Sequence, residues 1–233
     1  MTDKSQQTEY YDRVRDDLFP FIPPEATSIL DLGCGAGGTM KALKERGYAY
    51  VAGVEVQPEQ VTAASQHADK VLNIDLNLVA FMGPEYFAEA FGRKFDVVLM
   101  ADILEHLGFP GTLLEHVHGL LEENGVIIIS IPNMGWIDAV DRILNQSFQY
   151  DTNGHFDHTH MRFFCRENVR HLVQTAGYEV LKLQPLKSEE NPPEWTEGMS
   201  LKFNNWQVED ITEDHLEQLM CYQWLCVAKM KGE

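Results

Sequence analysis

The sequence predicts an α/β fold: a doubly wound, mostly parallel sheet with helices on both faces. Three observations carry this. Short apolar runs alternate with amphipathic stretches along most of the chain, the pattern of repeated βαβ units. The run Val126-Ile127-Ile128-Ile129 is apolar at every position, as in a strand buried on both faces. The first apolar run passes directly into the glycine-rich stretch Gly33-Cys34-Gly35-Ala36-Gly37-Gly38 and then into a helical pattern. Strand, glycine turn and helix in that order bring backbone N–H groups to a helix N-terminus, where a ligand can approach closely.

The elements follow in order. Tyr10, Tyr11, Val14 and Leu18 mark an amphipathic helix over about 9–19, ended by Pro20, Pro23 and Pro24 and placed to act as a lid before the first strand. Strand 1 is Ser28–Asp31, and its helix Thr39–Arg46 is closed by Gly47. Strand 2 is Tyr50–Glu55, followed by a helix opening at Pro58. Strand 3, Lys70–Ile74, ends at Asp75, and a helix covers about 83–91. Strand 4 is Phe95–Met100, a helix covers Pro110–Leu121, and strand 5 is Val126–Ile131, stopped by Pro132. Residues 133–163 read as irregular. Arg166–Ala176 is a helix stopped by Gly177, and strand 6 is Tyr178–Leu183. Residues 187–207 read as a polar loop, and Thr212 caps a helix to Leu219. The last strand, Tyr222–Met230, has no long helix after it, which predicts antiparallel insertion at the sheet edge. That gives about seven strands in one domain spanning residues 1–233.

Charge and composition exclude several classes. The formal charge is −18, from 36 acidic and 18 basic residues, which repels phosphate backbones and anionic membranes. Neither a nucleic acid nor a membrane is therefore expected as partner. No apolar run reaches the roughly twenty residues of a membrane span. The polar start, Met1–Gln7, lacks a signal-peptide core, so a cytoplasmic protein is expected. Cys34, Cys165, Cys221 and Cys226 form no zinc spacing and read as free thiols.

The glycine turn defines an adenosine-type pocket without choosing its cofactor. Gly33, Gly35 and Gly38 fit the dinucleotide pattern, whereas Gly33, Gly35 and Gly37 fit that of S-adenosylmethionine (SAM) sites. Both require an acidic residue about twenty positions on for the ribose hydroxyls, and Glu55 supplies it.

Beyond the turn, an ordered set of motifs resembles the class I SAM-dependent methyltransferases. Asp31-Leu32-Gly33-Cys34-Gly35-Ala36-Gly37 resembles their motif I, and Val54-Glu55-Val56 their acidic strand-2 end. Asp75 sits where the family has an acidic residue after strand 3. Phe95–Val98 with Asp102–Leu107 resembles motif IV, and Leu121–Val126 the turn before strand 5, with Asn124 in place of a glycine. Gly154–Phe164 resembles a segment of a small-molecule subgroup. The resemblance implies a Rossmann-like fold and SAM as cofactor, with S-adenosylhomocysteine as product. It also implies a cofactor site made by Tyr11, Arg15, Asp31, Gly33, Cys34, Gly35, Gly37, Glu55, Val56, Asp75, Leu76, Ala101 and Asp102. In that site Asp31 orients the methionine ammonium and Glu55 binds both ribose hydroxyls. Asp75 accepts from the adenine amino group, and Arg15 pairs with the cofactor carboxylate. Asp75 as a plain helix cap and Arg15 as a solvated surface charge are the structural alternatives.

The expected activity is methyl transfer to a small-molecule acceptor, first the hydroxyl of a metabolite or sugar and next an amine. His106 is the candidate general base, since it follows strand 4 on the cofactor side and an imidazole titrates near neutral pH. The acceptor pocket is expected from Asn133, Trp136, His155, His160 and Arg162, with His158 in the same stretch. The run His155–His160 has imidazole and carboxylate donors but no fixed ligand spacing, so no metal is assigned. The competing classes are a nicotinamide oxidoreductase on the same turn and a SAM-binding protein without catalysis.

Overall fold

The computed structural model describes residues 13–188 and 200–232. Its main sheet has seven strands: β1 Ser28–Leu32, β2 Tyr50–Glu55, β3 Lys70–Asn73, β4 Phe95–Ala101, β5 Leu121–Pro132, β6 Tyr178–Ser188 and β9 Cys221–Met230. They are ordered β3-β2-β1-β4-β5-β9-β6. Strands β3 to β5 pair in parallel, and β9 pairs antiparallel with both β5 and β6. The closing strand thus runs in the expected direction. It does not lie at the edge, however: it is inserted one place inside it, between β5 and β6. Because β9 is apolar on both faces, an interior slot buries more of it than an edge would.

Period-2 alternation sends each central strand to two separate cores. Leu30 and Leu32, Val98 and Met100, and Ile127, Ile129 and Ile131 face one side. Ile29, Val97 and Leu99, and Val126 and Ile128 face the other. The first face is covered by α4 (Pro84–Phe91), α5 (Pro110–Val117) and α7 (Arg166–Thr175), through residues such as Phe87, Leu113 and Val169. The second is covered by α1 (Gly38–Glu45), α2 (Pro58–Ala64) and a 3-10 turn, through Met40, Leu43, Ala64 and Leu18. The short α3 (Leu76–Val79) follows β3 directly.

Three further expectations need correction. The N-terminal helix is, in its described part, only the 3-10 turn Asp16–Phe21, which takes in Pro20 and stops before Pro23 and Pro24. A short 3-10 turn tolerates the missing N–H that would break an α-helix. Tyr10 and Tyr11 lie outside the described residues. The stretch 133–163 contains a regular helix, α6 (Ile137–Leu144), with a strongly one-sided apolar face. The region read as a loop to residue 207 ends in a hairpin, β7 (Leu201–Phe203) with β8 (Trp206–Val208). Its turn is Asn204-Asn205, with Asn204 at φ +50°, a conformation asparagine tolerates. This hairpin packs with α6 and α8 (Glu213–Met220) around Ile137, Leu201, Ile211 and Met220 as a small third core.

The strand order reverses between β1 and β4, since the connection from β1 leads to β2 on one side while β4 lies on the other. Open α/β sheets form their ligand crevice there, outside the carboxyl ends of the strands. The turn that opens this crevice depends on Gly37. It sits at φ +92°, and a Cβ there would stand 2.8 Å from the Ala64 Cα, so α1 and α2 meet only because that atom is missing. Left-handed strain alone costs a non-glycine residue about 1–2 kcal/mol, before the clash is counted. Gly37→Ala is therefore expected to lower stability by about 2 kcal/mol or more, read as a reduced urea midpoint with unchanged m-value.

Candidate functional site

At the switch point a cleft of about 580 Å³ opens, lined by the carboxyl ends of β1 to β4 and by Thr152, Asn153, Asp157, His158 and Thr159. Its floor begins with β1. Asp31 is buried at the end of an apolar strand, and Gly33 follows at φ +80°, where a Cβ would lie 2.5 Å from the Ile103 Cδ1. Cys34 and Gly35 continue the wall. Burial raises the Cys34 thiol well above its usual range, so it stays protonated and is no nucleophile.

Glu55, at the end of β2, is held in place by backbone. Its Oε2 accepts from Gly35 N at 3.1 Å, and its Oε1 accepts from Val56 N at 2.8 Å and Gln57 N at 2.9 Å. A carboxylate has about four acceptor sites, so capacity remains toward the cleft. Asp75 does cap a helix: its Oδ1 accepts from Asn77 N at 2.9 Å to start α3. It lines the cleft as well, with Val56 and Leu76 beside it as apolar wall.

Arg15 differs from both readings made of it. It is buried, and its guanidinium is already engaged: Nε with Asp17 at 3.0 Å, NH1 with Asp102 at 2.9 Å, and NH2 with Asp17 at 3.2 Å and Gln223 at 3.5 Å. Asp102 is the hub. It sits at φ +55° after β4, accepts from Ser130 Oγ at 2.9 Å, and closely contacts the Gln223 side-chain amide. Burial would lower the Arg15 pKa, but Asp102 and Asp17 outweigh it and hold the guanidinium charged. Ala101 and His106 complete this side.

Gly37 is the one described member of the expected cofactor set that does not line the cleft, because it packs behind the turn against α2. The expected acceptor residues fare differently. Asn133, Trp136, His155, His160 and Arg162 do not line the cleft. Asn133 is a buried strut: its amide donates to the Gln218 and Cys221 carbonyls at 2.8 Å each and its Oδ1 accepts from Gly135 N. His155 donates Nε2–H to the Tyr222 carbonyl at 2.8 Å and stacks on Trp136 at 4.8 Å between ring centroids. Burial lowers its pKa to about 4, so it is neutral. Arg162 donates to the Gly108 carbonyl at 2.5 Å, tying its segment to the loop after β4. What the segment brings to the cleft instead is Thr152, Asn153, Asp157, His158 and Thr159. Their composition marked a polar loop; nothing in their spacing says which of them face inward.

Behind His106 lies a small cluster. Glu105, His106 and His160 place one ligand-type atom each within 4.8 Å of one another, a spacing that a cation would accept, and the two rings meet edge-on at 4.7 Å. Within the expected run, therefore, His160 alone turns to this cluster. Glu105 is buried with both carboxyl oxygens unpartnered among the described residues, and burial, reinforced by Asp102, keeps it protonated. Burial also lowers the His106 and His160 pKa values.

Asp31 carries a stability consequence. Burial raises its pKa from 3.8 to about 7, with Arg15 opposing and Glu55 adding. The folded state therefore holds a proton that the unfolded state releases, and stability from this group is lost as pH rises from about 4 to about 7. Asp31→Asn removes the charge, so it is expected to raise the melting temperature at pH 8 and leave it nearly unchanged at pH 4.5. The difference is worth up to ~4 kcal/mol, read by calorimetry at the two pH values.

Comparison with known proteins agrees with the cleft. The methyltransferase domain family matches residues 4–183. A ubiquinone biosynthesis O-methyltransferase of Cereibacter sphaeroides is 28% identical over 188 residues, covering 80% of this chain and 73% of that one. A SAM-dependent methyltransferase from Archaeoglobus fulgidus shares the fold at a TM-score of 0.66 and 17% identity, over 97% of this chain and 99% of that one. The magnesium protoporphyrin IX methyltransferase of Synechocystis PCC 6803, solved with bound S-adenosylhomocysteine, aligns at a TM-score of 0.56 and 15% identity, over 97% and 84%. Among the described residues no helix is long and apolar enough to cross a membrane. With motif, topology and family match in agreement, the chain belongs to the class I SAM-dependent methyltransferases, enzymes with S-adenosylmethionine as cofactor.

Proposed function

We propose that the chain methylates an acidic hydroxyl, of the phenol type, on a small molecule, with His106 as general base. The observation that carries this reading is a neutral imidazole on the cleft wall at the carboxyl end of β4. When bound, SAM supplies an electrophilic methyl group to a nucleophile aligned with it, so this chain's residues need only bind, orient and deprotonate. A base whose pKa lies below the usual 6.5 matches a hydroxyl near pKa 10, as in phenols, far better than an alcohol. The relatives named as O-methyltransferases favour oxygen over nitrogen as acceptor atom.

The cofactor assignments belong to the same proposal. The cleft fits the group: it has a carboxylate at the end of β1 and of β2 and another just past β3, and a glycine turn that a Cβ at Gly33 would crowd. Asp31 holds the ammonium of the methionine part. The spare acceptor capacity of Glu55 takes the ribose hydroxyls, and Asp75 with Val56 and Leu76 holds the adenine. Arg15, tied to Asp17 and Asp102, shapes the floor through its contacts rather than waiting free for a carboxylate.

Two outcomes are expected. S-adenosylhomocysteine binding should tighten several-fold between pH 6 and pH 8, because an ammonium prefers ionised Asp31; in Asp31→Asn it should be weak and flat with pH, by isothermal titration. Methyl transfer from labelled SAM should favour phenols and catechols over aliphatic alcohols and amines. His106→Asn should lower kcat by roughly 10²–10⁴-fold while leaving S-adenosylhomocysteine affinity unchanged. Full turnover in that variant would remove the base from the mechanism.

A further inference from the structure

The base proposed above is joined through one ring nitrogen to a short series of hydrogen-bond partners. His106 Nδ1 lies 2.9 Å from Thr159 Oγ1. The same hydroxyl lies 2.6 Å from Asp157 Oδ1, which also accepts from Thr159 N at 2.8 Å. A hydroxyl has one proton, and an ionised carboxylate only accepts. Thr159 therefore donates to Asp157 and can only accept from His106. The imidazole must then carry its proton on Nδ1, which leaves the lone pair of the neutral ring on Nε2.

We propose that Thr159 and Asp157 are positioning residues that fix His106 as its Nδ1–H tautomer and so present Nε2 as the proton acceptor. The inference rests on the reading of His106 as base. In the step it serves, the acceptor's O–H bond breaks, its electron pair stays on oxygen, and an N–H bond forms at Nε2. The resulting imidazolium donates Nδ1–H to Thr159, whose hydroxyl ends on the Asp157 carboxylate, so the new positive charge faces a fixed negative one. The other groups around His106 are the His160 ring at 4.7 Å, the Glu105 carboxyl, which is held neutral, and the Asp102 carboxylate. Among the described residues, Thr159 is the one recorded hydrogen-bond partner of the His106 side chain, so the tautomer depends on this contact. The linkage spans 53 residues and ties the segment after α6 to the end of β4.

The test needs no acceptor. Protein labelled with ¹⁵N-histidine is dialysed against EDTA, which strips any cation from the Glu105, His106 and His160 group. Two-bond ¹⁵N–¹H correlation at pH 7.5 then distinguishes the protonated ring nitrogen from the bare one. His106→Asn identifies the His106 signals among the nine histidines. The wild type is expected to show Nδ1–H as the dominant species. Thr159→Val should give a mixture of tautomers, and Thr159→Ser should restore the wild-type pattern. A wild type dominated by Nε2–H, or an identical pattern in Thr159→Val, would overturn the proposal. Because the readout is a tautomer in the resting protein, it can fail while His106→Asn still abolishes methyl transfer, and the reverse, so the two ideas are separable.

Discussion

A buried guanidinium and the carboxylate that holds it set the floor of the cleft. Arg15 and Asp102 come from positions 87 residues apart and meet at 2.9 Å. A charge taken out of water is costly unless paired and hydrogen-bonded, and truncating one partner of such a pair typically costs about 3–5 kcal/mol. The pair therefore recruits neighbours: Asp17 from the N-terminal segment, Ser130 from β5 and Gln223 from β9. Four parts of the chain are pinned to one point beneath the ligand crevice. Asp102 sits in the left-handed region at φ +55°, which a short polar side chain tolerates, and that network supplies the partners of its carboxylate there.

This explains why the closing strand matters to the site. Had β9 stayed at the sheet edge, Gln223 would lie a strand farther from Asp102. By entering between β5 and β6 it places Gln223 opposite Pro132, at the carboxyl end of β5, where the side-chain amide reaches Asp102. The insertion also delivers the carbonyls of Cys221 and Tyr222 to Asn133 and His155. The polar residues after β5 are thus consumed in holding β9 and the 152–163 segment together, and the cleft takes its other wall from the tip of that segment.

Electrostatics gives the cleft its character. Asp31, Glu55, Asp75 and Asp102 line it, against Arg13 and Arg15 as cations, and Arg15 is already neutralised by its partners. Such a surround favours a ligand bearing sulfonium and ammonium charge, which SAM does. It also makes the ionisation of Asp31 the variable quantity, because burial alone would keep that carboxyl protonated.

The sequence by itself determined the parts whose signals are local. Apolar runs, the glycine turn, and acidic residues at strand ends can be read one segment at a time, and with them the fold class, an adenosine-type pocket and the positions of Asp31, Glu55, Asp75 and His106; SAM itself came from the resemblance of the ordered motifs to a family. Tertiary structure alone decided what depends on distant partners. Whether Arg15 is free or buried turns on Asp102 and Gln223, and whether His155 faces substrate or a carbonyl turns on Tyr222. The role of Thr159 turns on His106, 53 residues away. A histidine or asparagine has the same appearance in sequence whether its hydrogen bonds go to a ligand or to backbone, because the partner is chosen by packing. The helix α6 is the intermediate case: its apolar spacing was present in the residues, but the polar and aromatic composition around it masked the period.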